Sequence, residues 1–139
     1  MKIALAQLNY TIGDIEGNKS KIIGAVERAK SEGADLVVFA EQALSGTPAL
    51  DLLCKTTFIE LCEEALDEIA SHCGRIAAVV GVPVLTECGT VSAAAVIQHG
   101  EVERCISKRF ITARREMGFL VQGSGCETIT ICGERVAVI

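Results

Sequence analysis

Hydrophobic residues along the chain alternate between strand-like and helix-like patterns. Short apolar stretches bounded by turn residues predict strands at residues 2–8, 35–40 and 75–84. Between them, apolar residues recur at helical spacing over residues 18–32 and 58–73. Two later pairs of strand-like segments each flank a glycine and predict hairpins, at residues 90–107 and 127–139, with a polar loop between them. This order predicts an α/β fold in which helices pack on a mixed sheet.

Residues with capping preferences mark the ends of both predicted helices. Asn18 is the predicted N-cap of the first helix, and Gly33 is the predicted residue just past its end. Thr57 and Glu60 have the spacing of a capping box at the start of the second helix, and Gly74 is expected to end it.

The composition favours strands that are buried on both faces. Half of the 139 residues are hydrophobic, but aromatic residues make up only 4% and tryptophan is absent, so small aliphatic side chains dominate. Such side chains suit strands packed beneath helices. The length corresponds to about one domain of the usual ~100–200 residues, so we expect no more than one domain within these 139 residues.

Charge, hydropathy and cysteine usage narrow the class of protein. The net charge of −5 gives no reason to expect a nucleic-acid partner. No apolar run approaches the ~20 residues of a membrane helix, and Gln7 and Asn9 interrupt the N-terminal apolar stretch. The seven cysteines are odd in number and lie mostly in apolar segments, which predicts reduced, buried thiols. We therefore expect a cytoplasmic protein that does not bind membranes.

The cysteines and histidines offer no clear catalytic or metal-binding pattern. No two cysteines have the spacing of a zinc site, so we expect no metal and assign none of them to catalysis. Cys62 and Cys73 lie on the apolar face of the second helix, which predicts core positions. His72 is better placed to interact with a helix C-terminus than to bind a ligand, and His99 adjoins a turn and is expected to be exposed.

Glu41 is the first candidate for chemistry. It directly follows the apolar residues 37–40, and functional side chains in open α/β sheets collect at the carboxyl ends of parallel strands. Partial withdrawal from water at such a boundary suits a general base. A solvated glutamate, or one that caps the following turn, fits the position equally well.

Lys108 is the second candidate, at the end of the predicted strand 101–107. It opens a basic segment that also contains Arg109, Arg114 and Arg115. A lysine at a strand end can stabilise an oxyanion, and a basic loop can hold an anionic group. A solvated cluster of charges is the commoner outcome for such a composition.

Motifs in the first 53 residues carry a family resemblance. The chain begins with MKIALAQLN and carries GADLVVFAEQALSG at residues 33–46, followed by TPALDLL at 47–53. These motifs resemble the start of the nitrilase (carbon–nitrogen hydrolase) superfamily, and the last is similar to the glutaminase domain of glutamine-dependent NAD synthetases. Weaker similarity at residues 81–83, 92–97 and 100–102 extends the resemblance over essentially the whole chain.

The resemblance implies a fold and a set of catalytic residues. The family folds as an α-β-β-α sandwich, of which residues 1–139 would be the incomplete N-terminal portion, with the rest of the domain and a synthetase domain outside this chain. Members use a cysteine nucleophile, a glutamate base and a lysine. Glu41 matches the glutamate by its motif, and Lys108 matches the lysine by its place after a hairpin strand. The cysteine would follow Ile139 within a few residues, so we expect this chain alone to be inactive.

The implied function is hydrolysis of the glutamine amide. The ammonia would serve ATP-dependent synthesis of NAD from nicotinic acid adenine dinucleotide. The amidase chemistry needs no cofactor, whereas ATP and Mg²⁺ would be used only by the absent synthetase domain. Glutamine would be the substrate, the rest of the same polypeptide would be a partner, and the family usually forms homo-oligomers.

Several departures from the family pattern leave alternatives open. Ala40 stands where proline is usual, Thr47 where an aromatic residue is usual, and residues 109–115 lack the LPNY motif with its substrate-loop tyrosine. One alternative is a free-standing amidase that acts on another small amide or nitrile. The other is a non-catalytic nitrilase-fold module that serves structure or docking.

Overall fold

The computed structural model describes residues 1–112, 114 and 116–139. Its elements are β1 (Ile3–Ala6), α1 (Ile15–Ser31), β2 (Leu36–Phe39), a 3₁₀ helix (Leu50–Cys54), α2 (Thr56–Ser71), β3 (Ala77–Thr86), β4 (Gly89–Gln98), β5 (Glu101–Ser107), β6 (Glu127–Ile131) and β7 (Glu134–Val138). Within the described residues, neither α-helix is long and apolar enough to span a membrane.

Strands β1 to β5 form one mixed sheet in the order of the sequence. The first three strands are parallel, and β3, β4 and β5 are antiparallel neighbours. Parallel neighbours need a crossover connection, which α1 supplies between β1 and β2 and α2 supplies between β2 and β3. The predicted mixed α/β sheet is confirmed.

The two faces of this sheet are covered by different layers. Both helices contribute to one large apolar cluster with the sheet, through residues such as Val26 and Ile69. Strands β6 and β7 form a separate two-stranded sheet, whose Ile129 and Ile131 pack against Leu36 and Ile106 of the five-stranded sheet. The layers are therefore helix, sheet and sheet, as in the first three layers of the predicted sandwich.

Helix α1 begins earlier than predicted, and Asn18 joins other parts of the chain instead of capping the helix. The N-cap is Asp14, whose Oδ1 accepts a hydrogen bond from the Gly17 amide at 3.0 Å. Asn18 is fully buried within the helix, where its side chain bonds both main-chain groups of Thr11 and the carbonyl oxygen of Leu44. The predicted N-cap at Asn18 is wrong, since its amide joins two loops instead.

The predicted capping box of α2 is also wrong. Helix α2 starts at Thr56 with Lys55 as the N-cap, and no side chain caps the helix there. Thr57 therefore lies within the first turn, and the predicted exchange of hydrogen bonds with Glu60 does not form. At the other end His72 is the C-cap, as its predicted place at the helix terminus implies, and its Nδ1 lies 3.3 Å from Glu27 Oε1.

The two predicted hairpins form around their glycines. Gly100 and Gly133 have φ values of +85° and +79°, and the residues before them, His99 and Cys132, are also left-handed. Two successive left-handed residues give the turn whose twist matches that of paired strands. The hairpins therefore begin and end close to the predicted residues.

Burial separates the seven cysteines, all of which are free thiols, into two groups. Cys62 and Cys73 are buried as predicted, and burial raises the pKa of Cys62 to about 12 and that of Cys73 to about 11. These two thiols stay protonated at neutral pH. The prediction of buried thiols is wrong for the others, which are exposed. They lie in the 3₁₀ helix, in turns, on β5 and in the segment just before β6: Cys54, Cys88, Cys105, Cys126 and Cys132.

Candidate active site

Glu41 leaves the sheet just after β2, over the neighbouring strand β3. A Cβ atom built on Gly81 of β3 would lie 2.7 Å from Glu41 Cα, and still closer to the Ala40 oxygen and the Gln42 nitrogen. Glycine is needed where two backbones approach this closely. Gly81 therefore lets the chain around Glu41 lie directly on the strand.

The turn that follows Glu41, residues 42–46, is anchored by main-chain hydrogen bonds. The Leu44 amide donates to the Gly81 oxygen at 3.2 Å, and the Leu44 oxygen accepts a bond from the Asn18 side chain at 3.0 Å. The Gly13 amide donates to the Ser45 oxygen at 2.9 Å. The turn is thus held by β3 on one side and by the segment before α1 on the other, which fixes the main chain next to Glu41.

Lys108 follows β5 and reaches Glu41 across the end of the sheet. Its Nζ donates to both carboxylate oxygens of Glu41, at 2.9 Å for Oε1 and 3.0 Å for Oε2. Ser92 Oγ on β4 donates to Glu41 Oε1 at 3.0 Å. The structure therefore brings the two sequence-predicted residues together and adds a third that the sequence analysis missed.

The ion pair is only partly withdrawn from water. The side chain of Glu41 is 49% exposed and that of Lys108 is 32% exposed. Ion pairs of this exposure contribute only about 0.2–1 kcal/mol to the free energy of unfolding. The pair therefore adds little to the stability of the fold. The glutamate is neither a lone solvated carboxylate nor a helix cap, because its oxygens face the lysine and the serine.

A cavity of about 220 Å³ lies against this pair. Glu41, Ser92 and Lys108 line it together with the last two residues of the chain, Val138 and Ile139. The rest of the lining is small or apolar: Phe39, Ala40, Val79, Gly81, Ala93, Ala94, Ile106 and Ser107. The volume suits a small group, since sites for drug-sized ligands occupy ~300–1,000 Å³.

The described arginines of the basic segment after Lys108 do not line this cavity. Arg109 and Arg114 are exposed and do not line it, and the Arg109 guanidinium lies 5.2 Å from the centre of the Phe110 ring. Arg115 lies outside the described residues. The described arginines therefore fit the alternative of solvated charges, and of the three basic candidates that the structure describes, Lys108 lines the cavity.

The described residues give the site acid–base groups and no thiol or metal centre. No cysteine or histidine occurs among the described residues that line the cavity. In the part of the chain that the structure describes, no group of three or more His, Cys, Asp or Glu side chains could hold a metal ion. In this arrangement Glu41 can accept a proton, and the Lys108 ammonium group can stabilise negative charge that develops on a bound molecule.

Ser92 could have been noticed as a polar residue within the apolar run of β4. It is 2% exposed, and buried polar groups in proteins are nearly always hydrogen-bonded. The sequence pattern thus signals a partner for Ser92. Its identity depends on how β4 lies beside β3 and the end of β2, which the local pattern does not specify.

Replacing Gly81 by alanine is expected to destabilise the protein by about 1–3 kcal/mol, because the new methyl group would overlap main-chain atoms that cannot move independently. Glu41 should be displaced at the same time, which would lower any activity that depends on it. The midpoint of urea unfolding measures the first effect.

Gly74→Ala is the matched control, since a Cβ at Gly74 would meet no atom within 4 Å. It should change the free energy of unfolding by less than about 0.5 kcal/mol. Equal midpoints for the two variants would show that the close approach at Gly81 does not constrain the turn.

Comparison with known proteins identifies the family that this fold and site define. The family model of the carbon–nitrogen hydrolases matches residues 2–110. The chain belongs to the carbon–nitrogen hydrolase (nitrilase) family. Among curated relatives, it is 40% identical over 113 residues to the glutamine-dependent NAD(+) synthetase of Aquifex aeolicus, a match that covers 80% of this chain and 20% of that protein.

Solved structures agree with this assignment. The glutamine-dependent NAD+ synthetase of Acinetobacter baumannii superposes with a TM-score of 0.88 at 29% identity, covering 97% of this chain and 26% of that one. An amidase from Nesterenkonia sp. superposes with a TM-score of 0.87 at 26% identity, covering 99% of this chain and 54% of that one. The chain thus spans about a fifth to a quarter of the synthetases and about half of the amidase.

Proposed function

We propose that residues 1–139 are the N-terminal portion of the glutaminase domain of a glutamine-dependent NAD synthetase. The observation that carries this proposal is the meeting of Glu41 and Lys108 at 2.9 Å beside a cavity that Ile139 also lines. A base, a cation and the segment that contains Ile139 converge there. The similarity to glutamine-dependent NAD synthetases supports the choice of glutamine as the substrate.

The position of Val138 and Ile139 supports a nucleophile in the residues that would follow them. Val138 and Ile139 line the cavity, whereas none of the described lining residues is a cysteine. A cysteine joined closely after Ile139 would stand beside the Glu41 carboxylate. The exposed apolar residues Ile3 and Leu5 also support a larger domain, because they alternate with Ala4 and Ala6, which pack on the helix side of the sheet.

The chemistry assigns one task to each charged residue. Glu41 takes the thiol proton as the sulfur attacks the side-chain amide carbon of glutamine, and Lys108 stabilises the negative charge that develops on the amide oxygen. Collapse of this intermediate breaks the carbon–nitrogen bond, and the proton held by Glu41 leaves with ammonia. Water, deprotonated by Glu41, then attacks the thioester, and glutamate is released as the thiol reforms.

The ammonia would be used by a synthetase domain of the same polypeptide. That domain would amidate the adenylated form of nicotinic acid adenine dinucleotide, with ATP and Mg²⁺ as its requirements. No residue of the present chain is assigned to ATP or Mg²⁺. The rest of the polypeptide is thus the partner of this portion in the proposal.

A free-standing amidase is the second candidate. The superposition on the Nesterenkonia amidase favours it, since that protein matches 99% of this chain at a TM-score of 0.87. This second candidate differs from the first in its substrate and in having no synthetase domain. The two candidates share the proposed roles of Glu41 and Lys108.

Assays of the full-length protein that contains this chain, and of residues 1–139 alone, test the proposal. We expect the full-length protein to release glutamate from glutamine and to form NAD from nicotinic acid adenine dinucleotide, ATP and Mg²⁺. The isolated residues 1–139 should release no glutamate, because no thiol lines the described cavity.

Hydrolysis of simple amides without NAD formation would favour the second candidate. A full-length protein that hydrolyses no amide would contradict both. Glutamate release by residues 1–139 alone would show that the nucleophile lies within this chain and that its proposed place after Ile139 is wrong.

A further inference from the structure

The three hydrogen bonds at the Glu41 carboxylate are unequally divided between its oxygens. Oε1 accepts one bond from Lys108 Nζ at 2.9 Å and one from Ser92 Oγ at 3.0 Å. Oε2 accepts only the bond from Lys108 Nζ, at 3.0 Å, among the described residues. A carboxylate oxygen has about two lone-pair sites, so Oε1 is filled while Oε2 keeps one site open.

Ser92 contacts both charged residues of the site. Its side chain is bonded to Glu41, and its carbonyl oxygen accepts a 2.7 Å hydrogen bond from the Lys108 amide. The residue is 2% exposed and lies within β4, between its neighbours β3 and β5. One residue of β4 therefore connects the base and the cation.

We propose that Ser92 is a positioning residue that holds the Glu41 carboxylate so that Oε2 is the atom that receives the proton. This inference rests on the proposed role of Glu41 as the general base. Because Ser92 occupies the second site on Oε1, a thiol or water that approaches from the cavity meets its acceptor at Oε2. Ser92 itself exchanges no proton with the substrate.

The buried Ser92 hydroxyl needs a hydrogen-bond partner, but that need alone does not require the partner to be the Glu41 carboxylate. Thr90, two residues earlier on β4, is a buried hydroxyl that donates to the Leu53 main-chain oxygen at 2.8 Å and so joins β4 to the 3₁₀ helix. Ser92 instead donates to a side chain that is 49% exposed and that water could satisfy. Orientation of the carboxylate is what the serine adds.

The test compares variants of the full-length protein by their kcat and KM for glutamine. Ser92→Ala should lower kcat by about 10- to 100-fold, which is the size expected for a hydrogen bond to a charged group, with KM changed less than about twofold. Ser92→Thr keeps the hydroxyl and should retain kcat within about threefold. Ser92→Val has nearly the shape of the threonine variant but no hydroxyl, so its kcat should match that of Ser92→Ala. The control Thr90→Val should lower the melting temperature and leave kcat and KM unchanged.

Equal kcat values for Ser92→Thr and Ser92→Val would overturn the inference, even if the alanine variant failed to fold. Thr90→Val measures how much kcat changes when the melting temperature falls for a structural reason alone. If the loss of kcat in Ser92→Ala is no larger than its own fall in melting temperature predicts on that scale, the role of Ser92 is structural and the inference is overturned. Glu41→Gln, assayed in parallel, distinguishes failure of the proposed role of Glu41 from failure of the proposed role of Ser92. An active Glu41→Gln would remove the proposed base and the inference together, whereas an inactive Glu41→Gln with a fully active Ser92→Ala would remove the inference alone.

Discussion

Glu41→Gln is expected to lower the kcat for glutamine hydrolysis by at least about 10²–10⁴-fold, the usual contribution of a general base. The glutamine side chain has nearly the size of glutamate, and its amide oxygen can still accept hydrogen bonds from Ser92 and Lys108. It cannot accept the thiol proton, because it carries no negative charge. The loss should therefore appear in kcat, measured as glutamate release by the full-length protein, with little change in melting temperature.

Two controls limit this result to the proposed role of Glu41. Glu103→Gln removes an exposed carboxylate on β5 whose bond in the described structure is to Gln98, and it should leave the rate unchanged. NAD formation supplied with ammonium salt in place of glutamine should also survive Glu41→Gln, since free ammonia bypasses the amidase step. Unchanged glutamine-driven NAD formation in Glu41→Gln would refute the assignment of Glu41 as the base.

Periodicity predicted the arrangement of elements where the pattern was local. The strand at residues 101–107 and the two hairpins agree with the structure because their signals are alternation and a turn glycine. The predicted starts of the helices do not agree, since Asn18 resembles a cap in the sequence but joins Thr11 to Leu44. Gly33, by contrast, directly follows the C-cap of α1 as predicted. The 3₁₀ helix at Leu50–Cys54 carried no apolar repeat long enough to be recognised.

The site was only partly predictable. Glu41 was indicated by its place after a buried strand, but only the family resemblance joined it to Lys108, which is 67 residues away in the sequence. The roles of Gly81 and Ser92 depend on the contact between β3, β4 and the end of β2, which exists only in three dimensions. The loop with the arginines was expected to hold an anion as one alternative, and the described arginines lie away from the cavity.

Lys108→Met should lower kcat for glutamine hydrolysis by about 10²–10³-fold, the loss observed when one donor to a developing oxyanion is removed. Methionine keeps the apolar stem of lysine without its ammonium group. Arg109→Met is the matched control, because it removes the same charge from the next residue, whose guanidinium lies over Phe110 rather than at the cavity. A full loss in Arg109→Met as well would indicate that net charge in this segment, rather than Lys108 itself, matters.

The double variant Glu41→Gln/Lys108→Met decides whether Lys108 acts on the substrate or only through Glu41. The ion pair at 2.9 Å allows either role, since loss of the ammonium group also releases the carboxylate. If Lys108 only held Glu41 in place, the double variant would be no slower than Glu41→Gln, because the group that Lys108 serves would already be inactive. We expect a further fall of about 10-fold or more, since charge on the amide oxygen must be stabilised whether or not a base is present.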